Sequence, residues 1–172
     1  NILNPKKDLF IDSTPPTLIS SDPVDDAIEV PIASNIILNF SEDVNVKNGN
    51  IFIHKTSDDS IFETIDVNSK QVTGTGTSQI TINPTNNFSS STEYYLVVEP
   101  TAFDDLAGNS YLGISDSTLL SFTTIGPTVT SVTSSNPNDI YNAEDNVINI
   151  QIDFSEDVEV TCLTPDTPVN AI

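Results

Sequence analysis

The residues best suited to chemistry in this chain are acidic. Asp12, the pair Glu42 and Asp43 inside FSEDV (Phe40–Val44), the stretch DDLAGN (Asp104–Asn109) and Asp116 offer six carboxylates and the Asn109 amide. Oxygen donors of that mixture suit calcium, which takes about 6–8 oxygen ligands in flexible geometry. Zinc would ask for His and Cys, and the chain has one of each. Like charges ~4 Å apart repel by about 1 kcal/mol in water and by more in a lower dielectric. Converging carboxylates therefore need either a cation or bulk solvent. The solvated alternative is concrete: Ser41 makes a local turn hydrogen bond and Glu42 and Asp43 hydrate a strand end. In DLAGN, Gly108 then supplies a positive φ and Asn109 caps a tight turn. The pattern is neither an EF-hand loop nor a glycine-rich nonapeptide.

Other candidate chemistry is thinner. His54 follows a β-branched run, and no Ser or Cys is marked as its partner in a nucleophilic arrangement. Cys162 is a lone thiol in a polar tail. GTGTSQ (Gly74–Gln79) starts like a phosphate loop but lacks the later glycine and the helix, so it reads as a hairpin connection. The pair Asp58 and Asp59 could serve a glycosidase only across a cleft, which nothing in the pattern provides. No enzyme is indicated.

Composition narrows the partners. Twenty-five acids against five bases give a formal charge of −20 among 172 residues. A polyanion binder must replace counterions with Lys and Arg, so nucleic acid is excluded, and docking on anionic lipid is disfavoured. No run approaches the ~18 apolar residues of a membrane span, so membrane insertion is not expected. With no Trp or Met, 7% aromatics and many Thr, Ser and Asn, the chain suits a β-rich module of an extracellular or cell-surface protein.

Helical periodicity is nearly absent. Seven β-branched or alternating runs stand at close spacing: 17–20, 35–40, 50–54, 61–66, 79–83, 93–99 and 119–124. That pattern predicts an all-β, Ig-like antiparallel sandwich. Ile36, Leu38 and Phe40 should share the core face of one strand, with Tyr95 and Val97 facing inward from another. Residues 100–102 could open a single helical turn. If the seven strands alternate direction, the entering linker and the connections after the second and sixth strands fall at one pole. Asp12, Glu42, Asp43, Asp104, Asp105, Asn109 and Asp116 would then meet there.

FSEDVNV (Phe40–Val46) returns as FSEDVEV (Phe154–Val160), roughly 110 residues later, about the length of one small sandwich. DSTPPT and TIGPT mark the two entrances, and NVINIQIDFSED parallels SNIILNFSED. The expected organisation is a linker at 1–12, a sandwich at 13–125 and the truncated opening of a second repeat at 126–172. A second acidic pole would carry Glu156 and Asp157 against Asp25, Asp26, Asp58 and Asp59.

From Asp12 to Thr124 the order of FSEDV, TGTGT, ITINP, STEYYL and DLAGN resembles the bacterial Ig-like repeat named after the S-layer protein SbsA. The resemblance implies a non-catalytic extender module of a secreted or surface adhesin, flanked by neighbouring repeats of the same polypeptide. It also implies calcium stiffening of adhesin arrays, with cell-surface glycan or protein reached through other domains. The alternative function is an accessory carbohydrate-binding module of a secreted hydrolase. That needs exposed rings, for which Tyr94, Tyr111 and Tyr141 are the candidates.

Overall fold

Short runs of Ile, Val, Thr, Phe and Tyr between Gly, Pro, Asn and Asp favour pleated, half-buried strands over helices. The computed structural model describes residues 12–134 and 150–160, and within them every regular element is a strand. The chain divides into two compact units between Ile125 and Gly126.

The first unit holds β1 (Leu18–Asp22), β2 (Ala27–Val30), β3 (Ile36–Val46), β4 (Asn50–Lys55), β5 (Ile61–Asp66), β6 (Val72–Thr73), β7 (Thr77–Ile82), β8 (Glu93–Val98), β9 (Phe103–Asp105) and β10 (Ser121–Thr124). One sheet runs β1-β3-β7-β6, with β9 also paired to β3; the other runs β2-β10-β8-β4-β5. All pairings are antiparallel except β2 with β10. This is the expected Ig-like sandwich.

Between the sheets Ile36, Leu38 and Phe40 meet Ile51, Ile53, Leu96 and Val98 in one buried cluster. Two groups of rings anchor it. Phe40 packs on Phe103 and Tyr111 at centroid distances of 5.4 and 5.1 Å. Phe88 packs on Tyr94 and Phe122 at 4.8 and 5.1 Å. Such ring pairs add about 0.5–1.5 kcal/mol each beyond the area they bury.

Four sequence expectations change. β8 presents Tyr94, Leu96 and Val98 to the core, and Val97 is only half-buried. EYYLVV is nearly all apolar, so alternation could not fix its phase. The short strands β2, β6 and β9 were not expected, because two to four residues carry almost no periodic signal. Pro100 and Thr101 form a turn closed by the Ala102 N–H on the Glu99 carbonyl at 3.0 Å, with no helix. Above all, FSED does not end its strand. β3 continues through it to Val46.

The second unit, within its described residues, is an antiparallel pair, β11 (Val129–Ser134) and β12 (Ile150–Phe154). Cys162 and Tyr141 lie outside the described residues.

Candidate metal centre

β3 is long enough to carry two partners end to end along one edge. β1 pairs with its first half, Leu18 opposite Phe40 and Asp22 opposite Ile37. β9 pairs with its second half, Val44 opposite Asp105 and Val46 opposite Phe103. Both partners run antiparallel to β3, so the start of β1 and the end of β9 face each other across residues 41–43. On the far edge, the ladder to β7 is irregular between Asn39 and Val44, a bulge that re-aims side chains. Where the chain enters β1, the Ser41 N–H donates to the Thr17 carbonyl at 2.9 Å, and the Thr17 N–H donates to Ser41 Oγ at 3.0 Å.

Three carboxylates converge at that gap. One oxygen each from Asp12, Glu42 and Asp105 lies within 4.8 Å of the others. Asp12 comes from the entering linker, Glu42 from the middle of β3 and Asp105 from the end of β9. Asp105 is only 2% exposed. Its carboxylate is held by Asn109, whose backbone N–H donates to Oδ1 and whose Nδ2 donates to Oδ2, both at 2.7 Å. The Asp105 N–H in turn donates to the Asn109 carbonyl at 2.9 Å, and Gly108 turns the loop at φ +96°. The tight-turn reading of DLAGN therefore describes this loop well, and the loop also supplies the buried carboxylate.

Burial works to raise the Asp105 carboxyl, but the hydrogen bonds from Asn109 and from the backbone of Gly108 and Ala107 outweigh it and lower its pKa. Glu42 moves the other way. Burial raises its pKa first, and the charges of Asp105 and Asp12 add to the rise. One carboxylate is thus fixed in its ionised form beside another that resists ionising. A divalent cation reverses that penalty, and three carboxylates can supply three to six oxygens. An all-oxygen donor set of this kind suits hard divalent cations, calcium among them.

The other expected members are elsewhere. Asp43 neighbours Glu42 but is exposed and outside the cluster. Asp104 binds Lys47 Nζ at 3.7 Å and accepts from Ser110 Oγ at 2.7 Å. Asn109 adjoins the cluster: its amide nitrogen donates to the Asp105 carboxylate and, at 3.3 Å, to the Asp12 backbone carbonyl. Asp116 lines a separate open hollow with His54, Asp59 and Tyr95. Hydrogen bonds from the Thr118 backbone and side chain lower its pKa. A count of alternating strands placed these residues at one pole; the pairing of β9 with β3 selects three of them.

The remaining sequence candidates take packing or turn roles. His54 stacks on Tyr95 at 4.8 Å, with its Nδ1 3.2 Å from the Asp59 carbonyl. The Tyr95 hydroxyl bonds Asp59, and chiefly for that reason its pKa is pushed up to about 12. Asp58 accepts from the Ser60 backbone and hydroxyl at 3.1 and 2.6 Å. Asp25 and Asp26 accept from the Ser121 N–H and Oγ at 2.9 and 3.1 Å. Gly74–Gly76 connect β6 to β7 as a hairpin. Tyr94 and Tyr111, two of the three rings proposed for a sugar platform, are buried.

No curated protein matches the chain. The solved S-layer protein rSbsC is similar at 14% identity and a TM-score of 0.44, covering 80% of this chain, which spans 18% of that one. The sequence profile of the family described as Bacterial Ig-like domain matches residues 12–124. With a β-sandwich over those residues, the chain belongs to the bacterial Ig-like domain family.

Proposed function

We propose that this chain is a non-catalytic extender module of a secreted or surface-displayed bacterial protein of the adhesin type, rigidified by calcium where the chain enters the first sandwich. One observation carries the reading: Asp12, Glu42 and Asp105, far apart in sequence, bring carboxylate oxygens within 4.8 Å of one another. A cation there ties the entering linker to β3 and β9, and so restrains the joint with whatever precedes the sandwich. Neighbouring repeats of the same polypeptide are the direct partners, and contact with cell-surface glycan or protein falls to other domains. The family membership and the acidic, lysine-poor composition support the extracellular setting.

The carbohydrate-binding alternative is weaker, because Tyr94 and Tyr111 belong to the core and are not available as an exposed platform. Calorimetric titration of the full chain with calcium tests the proposal. One calcium per first sandwich, lost in Asp105→Asn, is expected. Absence of any binding at millimolar calcium would leave a plain acidic spacer.

A further inference from the structure

Between β3 and β4 the chain crosses from one sheet to the other in three residues, Lys47, Asn48 and Gly49. Packing dictates the last of them. Gly49 has φ +133°, and a Cβ built on it would stand 2.8 Å from Glu99 Oε2 and 3.1 Å from Thr101 Oγ1. Only glycine meets both demands. Backbone hydrogen bonds then pin the crossing. The Lys47 N–H donates to the Ala102 carbonyl at 2.9 Å and the Asn48 N–H to the Thr101 carbonyl at 3.2 Å. The Val67 N–H donates to the Gly49 carbonyl at 3.1 Å, and the Asn50 N–H to Glu99 Oε2 at 2.7 Å.

The Asn48 side chain is under no such demand. The residue is exposed, and among the described residues neither its carboxamide nor the Gly49 N–H takes part in a hydrogen bond. Asn48 is also the one asparagine of the chain that is followed by glycine. The other described asparagines precede bulkier residues. Several of them are tied as well: Asn39 to Ser20, Asn50 to Glu99, Asn68 to the Lys47 carbonyl and Asn109 to Asp105. An asparagine Cγ and the next backbone nitrogen can close a five-membered ring, and a following side chain hinders that closure. Glycine has none, and no hydrogen bond restrains either reacting group here.

We infer that Asn48 is a site of spontaneous covalent modification, converting through a succinimide to a mixture of aspartate and isoaspartate. The Gly49 nitrogen loses its proton to solvent and bonds to Asn48 Cγ. The Cγ–Nδ2 bond breaks, and Nδ2 leaves as ammonia with a proton returned by solvent. Water then opens the ring on one side or the other. Cleavage at Cγ restores the ordinary backbone with aspartate at position 48. Cleavage at the backbone carbonyl routes the chain through the side chain and adds a methylene to it. Water is the only co-reactant. Either product adds a negative charge to a chain already at −20. The isoaspartate form also lengthens a crossing whose flanks are fixed by hydrogen bonds, so at least one of them is given up. The crossing between the sheets thus records the age of the molecule. The inference is independent of the calcium and extender readings above.

Ageing the full chain in mildly alkaline buffer, followed by peptide mapping with mass spectrometry, tests this. Position 48 should convert before any other asparagine, with isoaspartate among its products. Asn48→Gln and Asn48→Ser should melt like the parent and show no early gain of charge on anion exchange. The isoaspartate fraction of the aged parent, separated by the same method, should melt about 4–8 °C lower, the shift that loss of roughly one hydrogen bond brings. An Asn48 still intact after other asparagines have reacted overturns the inference. So does conversion seen only when urea unfolds the chain, or aspartate formed with no isoaspartate, which is direct hydrolysis. An unchanged melting temperature in the isoaspartate fraction overturns the claim that the crossing gives up a contact.

Discussion

Asn109 holds both oxygens of the Asp105 carboxylate, one through its backbone N–H and one through its side chain, each at 2.7 Å. This arrangement keeps a buried acid ionised at the end of β9, facing Glu42. Asn109→Ala removes the side-chain donor and leaves part of a buried charge unpaired. The Tm of the first sandwich should fall by roughly 5 °C or more in EDTA, and calcium affinity should weaken. Thermal unfolding with and without calcium checks both.

Single substitutions separate the convergent acids from those that are merely nearby. Asp105→Asn and Glu42→Gln should each lower calcium affinity at least ~10-fold, by removing charged ligands. Asp104→Asn and Asp116→Asn should leave it within about twofold, because these groups engage Lys47, Ser110 and Thr118 instead. Calorimetric titration of the four variants decides. Equal effects from all four would mean a diffuse acidic surface and no site.

The pH dependence has opposite signs at the two carboxyls. Glu42 has a raised pKa in the folded chain. Its contribution to stability is present below its ordinary pKa and is lost as pH rises through the higher folded value. Asp105 is lowered, so its contribution is present above its ordinary pKa and is lost as pH falls through the lower folded value. In EDTA, Glu42→Gln should therefore be more stable than the parent at neutral pH, with the gain vanishing below the usual carboxylate range. Saturating calcium should reverse the order at neutral pH. Denaturant titrations at several pH values measure this directly.

The two copies of the FSEDV motif should respond differently to the same change. Phe40 is 2% exposed against Phe103 and Tyr111, whereas Phe154 is 37% exposed. Phe40→Ala should destabilise the first sandwich by about 3–5 kcal/mol, the usual range for a buried Phe. Phe154→Ala should leave that unit's transition unchanged. Chemical denaturation followed by hydrogen exchange at Leu96 distinguishes them.

Much of this molecule is legible in the sequence because strands with a buried and a solvated face write their phase into it. Ile36, Leu38 and Phe40 alternate with half-buried neighbours, and all three enter the core. Where both neighbours are apolar, as in EYYLVV, the phase is silent. The polar half of β3 is illegible for another reason. SEDVNV is held as a strand by partners distant in sequence, the three-residue β9 on one edge and Thr77 of β7 on the other. That same long-range pairing brings Asp105 beside Glu42, and the entering linker adds Asp12. The Thr17–Ser41 clamp was also missed, although its recurrence at Thr128 and Ser155 was present in the repeated motif.

Calcium binding to the folded chain alone must stabilise it by linkage, about 2.7 kcal/mol at 100-fold saturation, or roughly 10 °C for a unit of this size. The most direct measurement is the Tm of the first sandwich within the full chain, in EDTA and then in millimolar calcium, with magnesium as control. A calcium-specific rise of that order, abolished by Asp105→Asn, is the expected result. An unchanged Tm, or an equal rise with magnesium, would contradict a calcium-stiffened entry to the sandwich.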